Sequence, residues 1–137
     1  LDVGAGAGLP SFPLAIAQES LKCTALDASY KRVVFMRTVV RELDLQNIRV
    51  VHSKVEDFES EPYLMICSRA FSSLKAFVLS TQHLLRDGGH WLAMKGQDPA
   101  EELADLPSGV DVIKAQPLIV PGLEAQRQLV VLQKSAE

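Results

Sequence analysis

The feature that most constrains the fold is a glycine-rich turn near the start of the chain. The segment Asp2-Val3-Gly4-Ala5-Gly6-Ala7-Gly8 lies between a short apolar run and a helical pattern. Glycine lets the backbone turn tightly and approach a ligand where any Cβ would collide. The helix that follows offers unpaired amides in its first turn. A turn of this kind indicates a βα unit of an α/β fold with a ligand beside the loop.

An acidic residue at the end of the next apolar run supports this interpretation. Residues 21–26 are predicted to form the second strand, and Asp27 follows it, 19 residues after Gly8. A carboxylate at this point can accept hydrogen bonds from both ribose hydroxyls of an adenosine-containing cofactor. Strand, glycine turn, helix, strand and acid together are more specific than the glycines alone.

The rest of the chain repeats the pattern of an apolar run followed by a helical segment, which is typical of a doubly wound α/β sheet. The predicted helices cover residues 10–18, 30–43, 74–86 and 98–106. The predicted strands cover residues 1–3, 21–26, 48–52, 63–67, 91–94, 110–115 and 128–133. No helical pattern separates the last two strands, so they are predicted to form an antiparallel pair. We therefore predict a mostly parallel seven-stranded sheet with an antiparallel edge and helices on both faces.

Three local signals mark the predicted helix ends. Ser29 is a predicted N-cap, because its hydroxyl can accept from a first-turn amide. Gly88-Gly89 is predicted to terminate the helix at 74–86 as a C-cap. Asp98 followed by Pro99 predicts the start of the short acidic helix, since proline is tolerated at the first helical position.

Two classes of cofactor use such a glycine turn. Dinucleotides prefer a G-x-G-x-x-G turn that seats a pyrophosphate on helix amides, whereas the spacing here is G-x-G-x-G. Pro10 removes one of those amide donors. Asp2 suits a cationic ligand, and S-adenosylmethionine carries a sulfonium and an ammonium. These features favour a methyltransferase, with a nicotinamide-dependent oxidoreductase as the alternative.

Charge and composition limit the kinds of substrate and the cellular location to be expected. Residues 1–54 contain seven Lys or Arg and five Asp or Glu, whereas residues 55–137 contain seven and twelve. RNA-binding domains are usually more basic overall, so an RNA substrate requires local binding. No apolar run approaches the roughly 20 residues that span a bilayer. The first residues show no basic region followed by an apolar stretch, so no signal peptide is predicted and a cytoplasmic location is expected. Cys23 and Cys67 are predicted to be reduced, buried thiols.

Five segments carry a resemblance to a known family. They are Leu1-Asp2-Val3-Gly4-Ala5-Gly6-Ala7-Gly8-Leu9-Pro10, Leu26-Asp27 with Lys31-Arg32-Val33, Ser53-Lys54-Val55-Glu56-Asp57-Phe58, Ser68-Arg69-Ala70-Phe71 and Met94-Lys95-Gly96-Gln97. In this order and spacing they resemble the ribosomal small-subunit methyltransferase G family, also called glucose-inhibited division protein B. The segment Pro62-Tyr63-Leu64-Met65 departs from the family, which usually has an acidic residue there.

The resemblance implies transfer of a methyl group from S-adenosylmethionine to N7 of one guanine in 16S rRNA. It also implies a single Rossmann-like class I methyltransferase domain over residues 1–137, without the family's N-terminal helical extension and part of the first strand. The expected partner is 16S rRNA or the small ribosomal subunit, with the enzyme a monomer. By the resemblance, the cofactor contacts are Gly4, Leu9, Val55, Glu56 and Arg69; the glycine turn and the acid add Gly6, Gly8 and Asp27.

The expected chemistry needs no general base, because guanine N7 already carries an available lone pair. Alignment of N7 with the methyl group would then supply most of the catalysis, and we name no catalytic residue. Lys95, Lys31 and Arg32 are candidate RNA contacts, and Phe71 is interpreted as a core residue. The three histidines show no ligand spacing, so no metal site is predicted. A non-catalytic domain that only binds the cofactor is a second alternative.

Overall fold

The computed structural model describes residues 1–96 and 98–136. The chain divides into two compact units, Leu1–Glu59 and Ser60–Glu137. Within the first unit the strands follow the order β3-β2-β1, and within the second β4-β5-β7-β6. The predicted class, an α/β fold with a mostly parallel seven-stranded sheet and an antiparallel edge, is confirmed.

The first unit alternates strands and helices along the chain. Its elements are β1 (Asp2–Val3), α1 (Ser11–Ala17), β2 (Cys23–Asp27), α2 (Tyr30–Glu42), β3 (Ile48–His52) and a single 3-10 turn (Val55–Asp57). Both strand pairs are parallel, with Asp2 opposite Ala25 and Asp27 opposite His52. The carboxyl ends of β2 and β3 therefore lie at one edge, the position where open α/β sheets bind ligands.

The core of this unit forms where α2 packs on the sheet. Val33 and Met36 are fully buried one turn apart on α2, and they cluster with Ala25 of β2 and Phe12 of α1. Burial of each large side chain contributes about 1.5–3 kcal/mol. The predicted cap of α2 is confirmed, since the Ser29 hydroxyl accepts from the Arg32 amide at 3.5 Å.

Cys23 packs against this core, and both cysteines are free thiols that are partly buried. Burial raises the pKa of the Cys23 thiol above its ordinary value. The thiol therefore stays neutral at pH 7, which agrees with its interpretation as a small core residue.

The second unit begins with a parallel pair and ends with an antiparallel edge. Its elements are β4 (Tyr63–Ser68), α3 (Leu74–Thr81), a 3-10 turn (Gln82–Leu84), β5 (Leu85–Lys95), α4 (Ala100–Ala104), β6 (Val110–Leu118) and β7 (Arg127–Lys134). The closing hairpin pair, β6 and β7, is antiparallel, as predicted. The short acidic helix is confirmed with narrower bounds, but its predicted start is wrong by one residue: Pro99 is the N-cap and not the first helical residue. Asp98 accepts from the Ala100 amide at 3.0 Å, just before the helix.

The predicted helix over residues 74–86 is wrong at its carboxyl end. Helix α3 ends at Thr81, and Gly88-Gly89 lies inside β5 instead of capping the helix. The register of β5 against β4 shifts here, from Tyr63 opposite Leu85 to Met65 opposite His90. Gly88 has a φ of +74°, and a Cβ on Gly89 would come within 2.8 Å of the Leu64 carbonyl oxygen. The two glycines are thus needed for an irregular strand.

A buried hydrogen-bond chain stabilises the second unit. The Trp91 indole donates to the Thr81 hydroxyl at 2.9 Å, and this hydroxyl donates to the Phe77 carbonyl at 2.6 Å. All three residues are no more than 1% exposed. The chain satisfies the polar end of the largest buried side chain, which would otherwise be costly in an apolar core. Among the described residues, no helix is long and apolar enough to cross a membrane.

Candidate functional site

The glycine turn follows β1 and is fastened to the end of β2. Gly4, Gly6 and Gly8 have φ values of +67°, +61° and +94°, a region that residues with a Cβ rarely adopt. The Gly4 and Ala5 amides both donate to the Leu26 carbonyl, at 2.9 and 3.1 Å. The alternating glycines therefore give the turn its shape, and β2 holds it in place.

Asp27 joins the turn to the start of α2. One carboxylate oxygen accepts from the Gly6 amide at 2.9 Å, and the other accepts from the Ser29 amide at 2.8 Å. The residue is only 5% exposed, and its oxygen lies 3.9 Å from the Arg32 guanidinium. A carboxylate offers about four lone-pair positions, so each oxygen can accept a second donor. Asp27 thus holds the turn and the start of α2, and its contact with a ribose stays a prediction.

The room available for a Cβ atom differs between Gly8 and Gly6. A Cβ on Gly8 would lie 2.8 Å from the Phe12 ring, so Gly8 is required by packing within the first unit. A Cβ on Gly6 would have the Gly4 carbonyl oxygen, at 3.9 Å, as its nearest contact among the described residues apart from its chain neighbours. The protein leaves room beside Gly6, as a cradle for a bound cofactor requires.

Asp2, which precedes the glycine turn, is bonded within the protein to the start of α1. It is 1% exposed, and its carboxylate accepts from the Ser11 amide at 3.1 Å at the start of α1. The side chain therefore holds the start of α1, and its suitability for a cationic ligand stays a prediction.

Three further predicted cofactor contacts lie in loops of the first unit. Val55 begins the 3-10 turn after β3 and is 8% exposed, whereas Glu56 beside it is exposed. The Ser53 amide donates to the Asp27 carbonyl at 3.2 Å, which ties this loop to the end of β2. Leu9, after the glycine turn, is 43% exposed despite its apolar side chain.

In the second unit, Arg69 is the first residue after β4 and is exposed. The Ser68 hydroxyl beside it accepts from the Ala70 amide at 3.0 Å, which turns the chain sharply at the strand end. The half-buried Phe71 ring packs on the buried Phe77 ring with 5.2 Å between centroids, which agrees with its interpretation as a packing residue at the edge of the core. A small pocket is lined by residues that include Arg69 and Phe71.

Lys95, a candidate RNA contact, has an intramolecular partner. Its ammonium lies 3.1 Å from a Glu102 carboxylate oxygen, and the two side chains are 15% and 28% exposed. The other Glu102 oxygen accepts from the Leu74 amide at 2.7 Å, at the start of α3. Glu102 thus fastens α4 to α3 and to the end of β5, and the RNA role of Lys95 stays a prediction. Gln97 of the same motif lies outside the described residues.

Lys31 and Arg32 are both exposed in the first turn of α2, beside the end of β2. Tyr30 next to them is 65% exposed and contacts the His52 ring at a centroid distance of 5.6 Å. Sequence reasoning missed this ring contact, because the two residues are 22 positions apart. The available signal was that His52 ends one strand and Tyr30 follows the end of the neighbouring strand by three residues. Within residues 1–96 and 98–136, no cluster of three potential metal ligands was found.

The family model for rRNA small subunit methyltransferase G matches residues 1–131. Ribosomal RNA small subunit methyltransferase G of Chromohalobacter salexigens is 50% identical over 135 residues, which are 98% of this chain and 65% of that protein. The chain therefore spans slightly less than two thirds of this relative.

Solved structures agree on the fold. Coclaurine N-methyltransferase matches with a TM-score of 0.77 at 13% identity, over 97% of this chain and 64% of that structure. Precorrin-6y C5,15-methyltransferase of Geobacter metallireducens matches with a TM-score of 0.71 at 16% identity, over 98% and 78%. The fold is that of class I S-adenosylmethionine-dependent methyltransferases. With the family match over nearly its whole length, the chain belongs to the rRNA small subunit methyltransferase G family.

Proposed function

We propose that the chain is the cofactor-binding and catalytic part of an enzyme that methylates guanine N7 in 16S rRNA. The observation that carries the proposal is the Asp27 carboxylate bonded to the Gly6 amide, beneath a glycine turn with open space at Gly6. This arrangement suits an adenosine ribose, and the family and fold make S-adenosylmethionine the cofactor.

Different residues around the turn would each hold a different group of the cofactor. Asp27 accepts the ribose hydroxyls, and Gly4, Gly6 and Gly8 let the backbone approach the ligand. Val55 offers an apolar surface to the adenine, while Glu56 can accept from its exocyclic amine. Leu9, which is 43% exposed, would cover the ligand from the turn and become more buried when the ligand binds. Arg69 would bind the cofactor carboxylate or an RNA phosphate through a bidentate pair.

The reaction requires the protein mainly to bind and align the two reactants. The bound cofactor supplies an electrophilic methyl group on a sulfonium. Guanine N7 would take up this methyl group with its own lone pair while the carbon–sulfur bond breaks and S-adenosylhomocysteine leaves, so no residue would have to remove a proton. Holding the two reactants in line lowers the activation barrier by several kcal/mol in favourable cases. The residues that bind the ribose and the RNA would provide this alignment. Lys31 and Arg32 are proposed to contact RNA phosphates beside that site.

The first experiment is a thermal-shift titration with S-adenosylhomocysteine, with NAD run in parallel. A ligand at 100 times its Kd that binds only the folded protein stabilises it by about 2.7 kcal/mol, which raises the Tm by several degrees. A shift with S-adenosylhomocysteine alone is expected. A shift with NAD alone would instead support the oxidoreductase.

A glycine pair tests whether the ligand lies beside Gly6. Gly6→Ala places a methyl group in the open space, and we expect it to abolish the shift by S-adenosylhomocysteine. Gly109→Ala is the matched control, since Gly109 has a φ of +82° and its Cβ would meet no described atom within 4 Å. Both variants carry a similar backbone penalty of about 1–2 kcal/mol. Equal ligand shifts in both variants would place the ligand elsewhere.

Methyl transfer separates the enzyme from a domain that only binds the cofactor. The assay follows a radiolabelled methyl group from S-adenosylmethionine into deproteinised 16S rRNA and into small ribosomal subunits. We expect label in a guanine that becomes sensitive to the mild strand cleavage typical of N7-methylguanine. Cofactor binding without any transfer to either substrate would favour the non-catalytic domain.

A further inference from the structure

We infer that Tyr30 and His52 form a stacking surface for an unpaired RNA base, flanked by Lys31, Arg32 and Lys54, which would hold the adjoining phosphates. The inference rests on the proposed rRNA substrate and names the structural class that this surface accepts, a single-stranded segment.

The first argument is the exposure of Tyr30. Its side chain is 65% exposed in the first turn of α2, where it plays no part in capping, because Ser29 provides the cap. Amphipathic side chains such as tyrosine usually keep their ring against the protein and only their hydroxyl in water. The Tyr30 ring instead lies at the surface, where an aromatic side chain commonly marks an interaction site.

The second argument is that His52 positions the ring. The centroids of Tyr30 and His52 are 5.6 Å apart with an interplanar angle of 55°. His52 Nε2 lies 3.0 Å from the Ala28 carbonyl oxygen, which holds the imidazole at the end of β3. His52 is itself exposed, so the pair forms a positioned and solvent-accessible aromatic surface on which a base could stack.

The third argument is the local charge. Residues 28–41 contain Lys31, Arg32 and two further arginines without any Asp or Glu, and residues 45–55 contain one Arg and Lys54 without an acid. Lys31, Arg32 and Lys54 are all exposed. Acids border both stretches, at Asp27, Glu42, Asp44, Glu56 and Asp57, and Arg41 lies in the last turn of α2. The positive charge next to the aromatic pair is therefore that of Lys31, Arg32 and Lys54, within two residues of Tyr30 or His52 in the sequence. Basic groups around exposed aromatics are the combination that binds single-stranded nucleic acids.

A single strand fits this surface better than a duplex. Bases in an A-form helix are stacked on one another, and their faces are closed to protein side chains. An unpaired base can be splayed out onto Tyr30 while its phosphates reach Lys31 and Lys54. The surface adjoins Asp27, the proposed ribose ligand, through Ser29 and Arg32. A base bound here would therefore anchor the substrate next to the cofactor.

The test measures binding of a short unstructured RNA that contains one 2-aminopurine, with the protein saturated with S-adenosylhomocysteine. Stacking quenches 2-aminopurine fluorescence, so wild type is expected to bind and quench. Tyr30→Ala should lose the quenching and bind about ten-fold more weakly, whereas Tyr30→Phe should retain both. His52→Ala should weaken quenching as a second, independent variant. Phe35→Ala is the matched control, because Phe35 is 52% exposed on the same helix and is expected to behave as wild type.

The salt dependence distinguishes stacking from charge. Lys31→Ala should reduce the slope of log Kd against log salt concentration by about 0.7, the value for one phosphate on a single strand. Tyr30→Ala should leave that slope unchanged, because stacking releases no counterions. Equal affinity and quenching in wild type and Tyr30→Ala, or equal binding of a matched duplex, would overturn the inference. Failure of the proposed function would be seen separately, as absence of the S-adenosylhomocysteine shift or of methyl transfer by wild type.

Discussion

Removal of the Glu102 carboxylate should destabilise the protein more than any other change on α4. The carboxylate accepts from the Leu74 amide at 2.7 Å and pairs with Lys95 at 3.1 Å. Leu74 is 1% exposed, so its amide has little access to replacement water. Glu102→Ala removes one charge-assisted hydrogen bond, which is typically about 1.5–3 kcal/mol. It also leaves the partly buried Lys95 ammonium without its carboxylate partner, beside the Phe71 carbonyl oxygen at 3.5 Å. The expected loss in free energy of unfolding is about 3 kcal/mol.

Glu102→Gln separates the two contributions. The amide oxygen of glutamine can still accept from the Leu74 amide, while the ion pair with Lys95 is lost. Because the two side chains are 15% and 28% exposed, solvent screens the pair only in part. We expect a loss of about 1 kcal/mol for Glu102→Gln, clearly smaller than for the alanine variant.

Urea unfolding at equilibrium measures these differences, with Glu101→Ala as the matched control. Glu101 is the neighbouring exposed residue of α4, so its substitution reports the change in helix propensity alone, less than about 0.5 kcal/mol. The m-value should stay constant, since the folded and unfolded surfaces hardly change. Equal midpoints for Glu102→Ala and Glu101→Ala would refute the assignment of Glu102 as the residue that fastens α4.

Three further substitutions test other parts of the fold. Gly8→Ala should cost about 2–4 kcal/mol, because it combines a positive φ with a Cβ 2.8 Å from the Phe12 ring, and thermal unfolding would show it as a large fall in Tm. Thr81→Val should cost about 1–3 kcal/mol, because it leaves the buried Trp91 indole without its acceptor, whereas Thr81→Ser should retain the hydrogen bond. Hydrogen exchange at the Trp91 indole measures this, and an unchanged exchange rate in the valine variant would contradict it. Asn47→Ala should cost about 1–2 kcal/mol in urea unfolding, since the Asn47 amide donates to the Ala15 and Leu21 carbonyls at 2.9 Å, and a neutral result would mean that water replaces it.

The elements with strong local signals were predictable from the sequence. The glycine turn, the Ser29 cap and the strand over residues 48–52 all depend on residues close in the chain, and each was found where predicted. The antiparallel pair β6 and β7 was also predictable, because no helical pattern lies between the two strands.

Other features depend on residues far apart in the sequence and carry no local signal. In the sequence, Gly88-Gly89 is compatible both with a helix C-cap and with an irregular strand. Only the close approach of Gly89 to the Leu64 carbonyl oxygen, which is a tertiary contact, distinguishes the two. The Lys95 partner is seven positions along the chain, and the use of Glu102 by the Leu74 amide requires tertiary structure. A candidate RNA contact in sequence therefore proved to be engaged within the protein.

The Asp27 carboxylate has a kinetic consequence for the proposed cofactor. Because it accepts from the Gly6 and Ser29 amides, the turn and the start of α2 are ordered by the protein's own hydrogen bonds. Binding then immobilises few backbone dihedral angles, so little conformational entropy is lost on association. The association rate constant should accordingly be limited by diffusion and access, and differences in affinity among cofactor analogues should appear in their dissociation rates.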